Sequence, residues 1–165
     1  MANQAQWHGD DTGGDRRDRG GAARDAQPYD EVVLTGEVSD LYERAVRLLE
    51  SGDPVAAGPL LERAAGRAPR SRAVLEALAR AQFDAERYPE AAQAFKSLAE
   101  AYPDDDYAQF GWGLAEARLG EYESAVGHLA QAAAMRPDVR YYNQALRGAR
   151  ATVRARAGHG SGDRS

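Results

Sequence analysis

The chain contains no cysteine among its 165 residues, which excludes disulfide bonds, thiolate metal ligands and cysteine nucleophiles. Lysine is nearly absent, because Lys96 is the one lysine among 21 basic residues. This preference for arginine is typical of a GC-rich genome. No segment approaches the roughly 20 apolar residues that a membrane span needs, and the first residues lack a basic segment followed by an apolar one. We therefore expect a cytoplasmic protein without membrane contact.

Residues that support catalysis are equally scarce. His8 and His159 fall in expected tails, and His128 is a lone histidine on an expected helix, where packing or surface roles are commoner than catalysis. Phosphate loops and zinc-ligand spacings are absent. The acids from Asp104 to Asp106 follow a proline and precede a helix, which favours helix capping over a cation site. The sequence predicts a protein that is not an enzyme and needs no cofactor or metal.

The composition favours helices, because the 43% of hydrophobic residues are mostly alanine and leucine with few β-branched residues. Residues 1–36 are rich in glycine, aspartate and arginine, and we expect a disordered tail there. Residues 158–165 have the same character. Within the first tail, residues 29–36 (YDEVVLTG) form an apolar island. We expect this segment to dock on its own protein, either against the first two helices of the folded part or in a groove that binds a partner.

The organising feature is a repeat of 34 residues. Pro69, Pro103 and Pro137 stand at this interval. Further series at the same interval are Ala57, Ala91 and Ala125; Leu61, Phe95 and Leu129; and Ala45, Ala79 and Gly113. The folded part, residues 37–139, therefore divides into three units, which are 38–71, 72–105 and 106–139.

Each unit reads as two helices joined by a turn. Gly52 and Gly120 stand where a helix end favours a left-handed residue. Small residues such as Gly113 and Ala125 would let the two helices approach closely. Residues 140–157 continue the helical period with one apolar face, and no second helix follows. We interpret that last segment as a helix that caps the array.

These repeats resemble the tetratricopeptide-repeat family, whose signature is W-x2-L-G-x2-Y, then A-x3-F, then P over about 34 residues. The second half matches well, as Ala91, Phe95 and Pro103 illustrate, and the first half matches only in part, since Gln82 and Glu116 occupy the tyrosine position. The resemblance implies an all-α protein, a right-handed α-solenoid of three helical hairpins plus a C-terminal capping helix. It is similar to a small bacterial three-repeat member of the family.

The resemblance also implies a function. In this family the first helices of the repeats line a concave groove that binds a partner protein or peptide segment. The groove residues implied here are Tyr42, Val46, Leu49, Glu76, Arg80, Phe83, Tyr107, Phe110, Leu114, Arg118, Tyr141 and Gln144. Family members that bind chaperone tails hold a carboxylate with lysine and asparagine, and those residue types are missing from this set, which disfavours such a ligand.

Aromatic side chains give the implied groove its character, because they provide binding hot spots at low entropy cost. For Phe83 and Phe110, packing between helices and contact with a partner both stay open. We expect Tyr107 and Tyr141 to be surface contacts. Charges on Glu76, Arg80 and Arg118 would set the orientation of the partner.

Two alternatives come from other classes. Leftover apolar surface on a short array could join two copies, so that the protein acts as a self-associating structural component, with a homodimer as the simplest form. Phosphates of nucleic acid could bind the arginine-rich C-terminal helix, which holds Arg140, Arg147, Arg150, Arg154 and Arg156. We expect their spacing to spread these arginines around the helix, and the sequence pI of 5.3 disfavours nucleic acid.

Overall fold

A computed structural model describes residues 34–160, which form seven α-helices. The helices are α1 (Gly36–Glu50), α2 (Pro54–Arg67), α3 (Arg72–Asp84), α4 (Tyr88–Ala101), α5 (Asp106–Arg118), α6 (Tyr122–Met135) and α7 (Arg140–Gly160). No strand occurs within this described range. The all-α class is confirmed, and so is the pairing of α1 with α2 and of α5 with α6 that the 34-residue period predicts.

The helices belong to two compact units, α1 to α3 and α4 to α7. The last helix continues to Gly160, three residues beyond its expected end. The first begins at Gly36, two residues before the expected repeat. The disorder predicted for the tails falls mostly on residues 1–33 and 161–165, which lie outside the described part of the chain.

The first hairpin, α1 and α2, is closed by small side chains at the helix contact. Ala45 and Ala57 are fully buried and share a core cluster with Leu49 and Leu61. Because alanine keeps the two backbones close, the leucines on either side can interdigitate. A salt bridge from Arg63 to Glu37, 2.5 Å long, joins the exposed edges of the two helices. The hairpin is therefore apolar inside and charged outside.

In the second unit, glycine takes the same role at the contact between α5 and α6. A Cβ atom on Gly113 would lie 2.8 Å from Leu129 Cγ and 3.1 Å from the Ala125 carbonyl oxygen. Gly111, on nearly the opposite face of α5, meets α4, and a Cβ there would clash with the Phe95 ring. Helix α5 can approach both neighbours closely because these two positions lack side chains. The close approach predicted for Gly113 and Ala125 is confirmed.

The turns inside the three repeats share one backbone conformation. Gly52, Glu86 and Gly120 follow at the 34-residue interval and have positive φ angles of 81°, 60° and 84°. In each turn the N–H of this residue donates to the carbonyl three residues earlier, at 3.1, 2.9 and 3.1 Å. The next N–H donates to the carbonyl five residues earlier, at 2.8, 2.8 and 2.9 Å. This is the Schellman pattern, which favours glycine at the left-handed position.

The helix starts are capped by short polar side chains. Asp53, Ser71 and Asp105 accept hydrogen bonds from the backbone N–H three residues later, at 3.0, 3.3 and 2.9 Å. This satisfies donors that the first turn of a helix leaves without a partner. The capping role expected for the acids after Pro103 is confirmed at Asp105.

Helix α7 packs against α5 and α6 and is anchored at two points. The Tyr142 hydroxyl donates to the buried Asp106 carboxylate at 2.7 Å. Near its other end, the Arg156 guanidinium donates to the Gly120 carbonyl at 2.8 Å and lies 4.6 Å from the centre of the Tyr122 ring. A bond to the Gly120 carbonyl also satisfies an acceptor at the end of α5. Both contacts hold α7 on the third hairpin.

Replacing Gly111 by alanine should lower stability. Alanine is the better helix former, but its methyl group would enter the space of the Phe95 ring, which is fully buried and cannot move aside. We expect the free energy of unfolding to fall by about 1–3 kcal/mol, measured by urea denaturation. Gly127→Ala on α6 meets no atom within 4 Å and should stabilise by about 0.5–1 kcal/mol. Equal shifts for the two variants would contradict the assigned contact.

Glu86→Gly should raise stability, because Glu86 holds a left-handed conformation that costs a residue with a side chain about 1–2 kcal/mol. Glycine removes that cost but gains entropy in the unfolded chain, so we expect a net gain of about 0.5–1 kcal/mol in chemical denaturation. Glu86→Ala keeps the strain and serves as the control, with little change expected. A gain from alanine equal to that from glycine would show that the backbone conformation is not the cause.

Candidate functional site

The twelve residues implied as a groove divide by exposure. Seven keep access to solvent, and these are Tyr42, Val46, Glu76, Arg80, Arg118, Tyr141 and Gln144. Five are buried, and these are Leu49, Phe83, Tyr107, Phe110 and Leu114. A buried side chain cannot touch a partner without an opening of the core. The candidate site residues are therefore these seven, four in the first unit and three in the second, and we call them the exposed groove set.

The expectation that Tyr107 is a surface contact is wrong. Its side chain is 1% exposed, and its ring packs edge-on against Phe95 at a centroid distance of 5.9 Å. The open question for Phe83 and Phe110 is answered in favour of packing, since both are buried. All three rings therefore belong to the core, as apolar residues at helical spacing usually do.

In the first unit, α1 and α3 are in contact and place an aromatic ring beside charges. The Tyr42 hydroxyl is half-buried, and this burial raises the pKa of Tyr42, with a smaller contribution from the negative charge of Glu76. The phenol therefore stays protonated and can donate a hydrogen bond at neutral pH. Arg80 forms a 3.3 Å ion pair with Asp84 one turn later. This ion pair and the partial burial of the side chain fix the Arg80 guanidinium in place.

In the second unit, an aromatic cluster joins α5 to α7. The Phe110 ring stacks on Tyr142 at 4.5 Å and meets Tyr141 edge-on at 5.3 Å. Tyr141 is the member of this cluster that keeps solvent access, as expected from the sequence. At the end of α5, Arg118 donates to the Tyr88 hydroxyl at 3.2 Å and lies over its ring. The buried rings of Phe110 and Tyr142 therefore hold the Tyr141 ring in place.

The apolar segment before the first helix is described only from Leu34 onward. Leu34 is half-buried and packs on a cluster of Leu41, Ala64 and Val74 in the first unit. This contact agrees with docking against the first hairpin. The other apolar residues of residues 29–36 lie outside the described range, and their placement stays a prediction.

Sequence reasoning missed a polar cluster at the contact of α5 and α6. The His128 ring stacks on Trp112 at a centroid distance of 3.6 Å, and its Nδ1 atom lies 3.0 Å from Gln109 Oε1. Its Nε2 atom lies 3.8 Å from Glu116 Oε2, a buried oxygen. Burial lowers the pKa of His128, and the charge of Glu116 opposes this effect. The cluster therefore holds a histidine that stays neutral at pH 7.

The positions of these residues within the repeat already indicated a polar cluster. Gln109, Trp112 and Glu116 occupy one face of α5, where the family signature has large apolar residues, and two of the three are polar. A polar pair at an apolar position needs a polar partner across the helix contact. His128 on the facing helix meets this need for Gln109, while its Nε2 atom stays beyond hydrogen-bond distance of Glu116.

Two further kinds of site, a metal centre and a membrane span, are absent from the described residues. No group of three or more histidine, cysteine, aspartate or glutamate side chains within residues 34–160 could hold a metal ion. None of the seven helices is both long and apolar enough to cross a membrane.

Comparisons with known proteins address the family. Residues 48–110 match the family model described as Tetratricopeptide repeat. A search of curated proteins finds no match. Among solved structures, MamA from MSR-1 is similar at 22% identity, with a TM-score of 0.64 over 70% of this chain and 67% of MamA.

Two structures of another protein are similar over nearly their whole length. The first tetratricopeptide repeat of Spaghetti (RPAP3), bound to the HSP90 peptide SRMEEVD, is 15% identical with a TM-score of 0.67, covering 71% of this chain and 93% of that one. The first such domain of human RPAP3 is 15% identical with a TM-score of 0.68, covering 74% and 98%. The family match and these likenesses confirm the resemblance; at such low identity the structures show the fold alone.

The neutral state of His128 predicts a pH dependence. Because its pKa in the folded protein lies below the ordinary 6.5, the unfolded chain binds a proton more readily. The stability from this group is present above pH 6.5 and is lost as pH falls through the folded-state pKa. His128→Gln, which keeps a donor for Gln109, should make the fall in urea midpoint between about pH 7 and pH 5 shallower.

His159→Gln is the matched control, because His159 is exposed near the end of α7. This variant should follow the wild-type pH profile, because it makes the same chemical change away from the contact of α5 and α6. Carboxylates titrate in all three proteins and cancel in the comparison. Parallel profiles for wild type and His128→Gln would contradict the assigned burial effect.

Proposed function

We propose that this chain with tetratricopeptide repeats is a non-catalytic scaffold, which binds a segment of a partner protein along the first helices of its hairpins. The family match and the solved relatives support this, one of them with a peptide bound. The observation that carries the proposal is the exposed groove set, which combines half-buried tyrosines with fixed charges. We also expect the protein to act in the cytoplasm.

The members of the exposed groove set on α1 and α3 combine apolar and charged side chains. Tyr42 and Val46 present apolar area, while Glu76 and Arg80 present opposite charges one turn apart on α3. Tyrosine adds contact area with few rotamers to lose and a hydroxyl that can donate. Charges of both signs on a short surface favour one orientation of a bound segment. A partner segment with an apolar residue between opposite charges fits this chemistry.

The buried residues have a supporting role in this proposal. The Phe110 ring meets Tyr141 edge-on, and Phe83 and Leu49 are buried. Because their rotamers are fixed by packing, the exposed side chains above them lose little freedom on binding. Aromatic anchoring by Tyr107 and Phe110, as first implied, is replaced by anchoring through Tyr42 and Tyr141.

A C-terminal carboxylate is a poor ligand for this surface. Recognition of such a group needs cations in fixed positions. On α1 and α3 the candidate residues include one cation, Arg80, which already pairs with Asp84 at 3.3 Å. The RPAP3 structure shows that the fold accommodates an HSP90 peptide in that protein. We propose an internal segment as the ligand of this chain instead.

Val46→Ala tests the proposed surface. A peptide is first selected from a random library by binding to the wild-type protein, and its Kd is then measured by calorimetry. Removing two methyl groups from the contact should weaken binding about three- to tenfold. Thermal unfolding monitored by circular dichroism confirms that the variant is folded.

Val55→Ala is a matched control, because it makes the same chemical change on α2, where Val55 is 72% exposed. Its Kd should equal the wild-type value. If both valine variants bind equally well, or if only Val55→Ala weakens binding, the proposed surface is not where the peptide lies.

A further inference from the structure

The arginines of α7 fall into two sets with different roles. Arg156 is committed to the third hairpin through the Gly120 carbonyl and the Tyr122 ring. The other four, Arg140, Arg147, Arg150 and Arg154, are exposed. At 100° per residue they lie within an arc of about 80° and extend over about 21 Å of the helix. We call these four the arginine stripe; the expectation that α7 spreads its arginines around the helix is wrong for them.

The arginine stripe carries uncompensated charge. Helix α7 contains no aspartate or glutamate. No carboxylate within residues 34–160 pairs with any of the four guanidinium groups. Residues 37–139 have a net charge of −7, and residues 140–165 have a net charge of +5. Such a separation of charge within one chain creates a surface that attracts an acidic partner.

An acidic stripe of matching size occurs on α1. Asp40, Glu43 and Glu50 are exposed and lie within an arc of about 80°. Among the described residues, none of the three forms an ion pair. Glu43 accepts a hydrogen bond from Ser39 at 3.3 Å, which leaves its charge in place. We call these three residues the acidic stripe.

We propose that the protein self-associates by pairing α1 of one copy with α7 of a second copy in antiparallel orientation. Read against the chain direction, the acidic stripe has intervals of seven and three residues, and the first three arginines have the same intervals. Glu50 then faces Arg140, Glu43 faces Arg147, and Asp40 faces Arg150. This interface goes beyond the proposed peptide binding, and none of its three charged pairs involves the exposed groove set.

The same alignment accommodates the one cation on the acidic face of α1. Arg47 lies between Glu43 and Glu50, and the antiparallel register places it opposite Asn143, a neutral side chain. No like charges therefore meet in the paired stretch. Arg154 lies beyond the third acid, near the start of the partner helix. Charge complementarity at each position is what gives the register its specificity.

A second copy fits the arginine stripe better than nucleic acid does. A duplex offers a uniform row of phosphates and needs no particular interval between cations. It would also be repelled by the net charge of −7 on residues 37–139. The acidic stripe instead matches the arginines in number and interval. Exposed ion pairs are individually weak, so the association should be weak and sensitive to salt.

Sedimentation velocity of the full chain tests self-association. At low ionic strength the average mass should rise above that of the monomer as concentration increases from about 10 µM to about 1 mM. About 0.5 M salt should return the protein to the monomer, because it screens exposed charges. A protein that stays monomeric at about 1 mM in low salt overturns the proposal.

A charge-swap experiment tests the register. One variant carries Arg140→Glu, Arg147→Glu and Arg150→Glu, and the other carries Asp40→Arg, Glu43→Arg and Glu50→Arg. Each variant alone has two stripes of the same sign and should be monomeric. An equimolar mixture pairs the acidic α7 with the basic α1, and it should associate again. If the mixture stays monomeric while both variants keep the wild-type circular dichroism melt, the pairing of α1 with α7 is wrong.

A matched control separates the stripe from net charge. Glu100→Arg, Glu121→Arg and Glu123→Arg change the formal charge by the same amount at exposed positions outside both stripes. This variant should associate like wild type, and loss of its association would overturn the assigned surfaces. Should a triple variant unfold, the single pair Arg147→Glu with Glu43→Arg makes the same comparison, with a smaller loss and recovery.

Nucleic acid is tested in the same experiment series. Wild type and the α7 variant are titrated with a fluorescent DNA duplex and a single-stranded RNA at low salt. The proposal expects neither probe to bind more tightly than the second copy does. Wild type that is monomeric and binds a probe through the arginine stripe would overturn the proposal in favour of nucleic acid. Wild type that binds the selected peptide but stays monomeric, or that associates without binding the peptide, separates failure of this inference from failure of peptide binding.

Discussion

The structure depends on one constraint, which is that paired helices must touch through positions without bulky side chains. Ala45 and Ala57 meet this constraint in the first hairpin, and Gly113 and Ala125 meet it in the third. At such separations the larger apolar residues on either side interlock, and the outer faces remain available for charge. The apolar interior and the charged outer faces of the hairpins both follow from helices held at this distance.

Much of the fold was predictable because the 34-residue period acts through local chemistry. Proline, glycine and capping side chains have strong preferences that a sequence displays directly. The left-handed Glu86 was not predictable in this way, because a glutamate has no preference for that conformation and the repeat imposes it. Gly111 was also missed, since its role depends on Phe95 of a different helix. Such demands appear only when the neighbouring element is in place.

The candidate site was less predictable, because core and groove residues share the same helical spacing. Tyr107 and Tyr141 are both tyrosines near helix starts, yet the first is buried and the second is accessible. Packing neighbours decide between these outcomes, and a period cannot identify them. The cluster around His128 shows the converse case. Gln109 and Glu116 appeared as departures from the family signature, and the structure places both beside one imidazole, which contacts Gln109 at hydrogen-bond distance.

The two anchors of α7 have a consequence for how this helix can vary. Tyr142 and Arg156 are 14 residues apart, close to four helical turns, so both reach the third hairpin from nearly the same side. Inserting or deleting one residue between them would turn one anchor by about 100° relative to the other and release it. The number of residues between Tyr142 and Arg156 is therefore fixed. Within α7, insertions and deletions can be tolerated only after Arg156. The two anchors thus fix the rotation of α7 about its own axis and therefore which of its faces points away from the third hairpin.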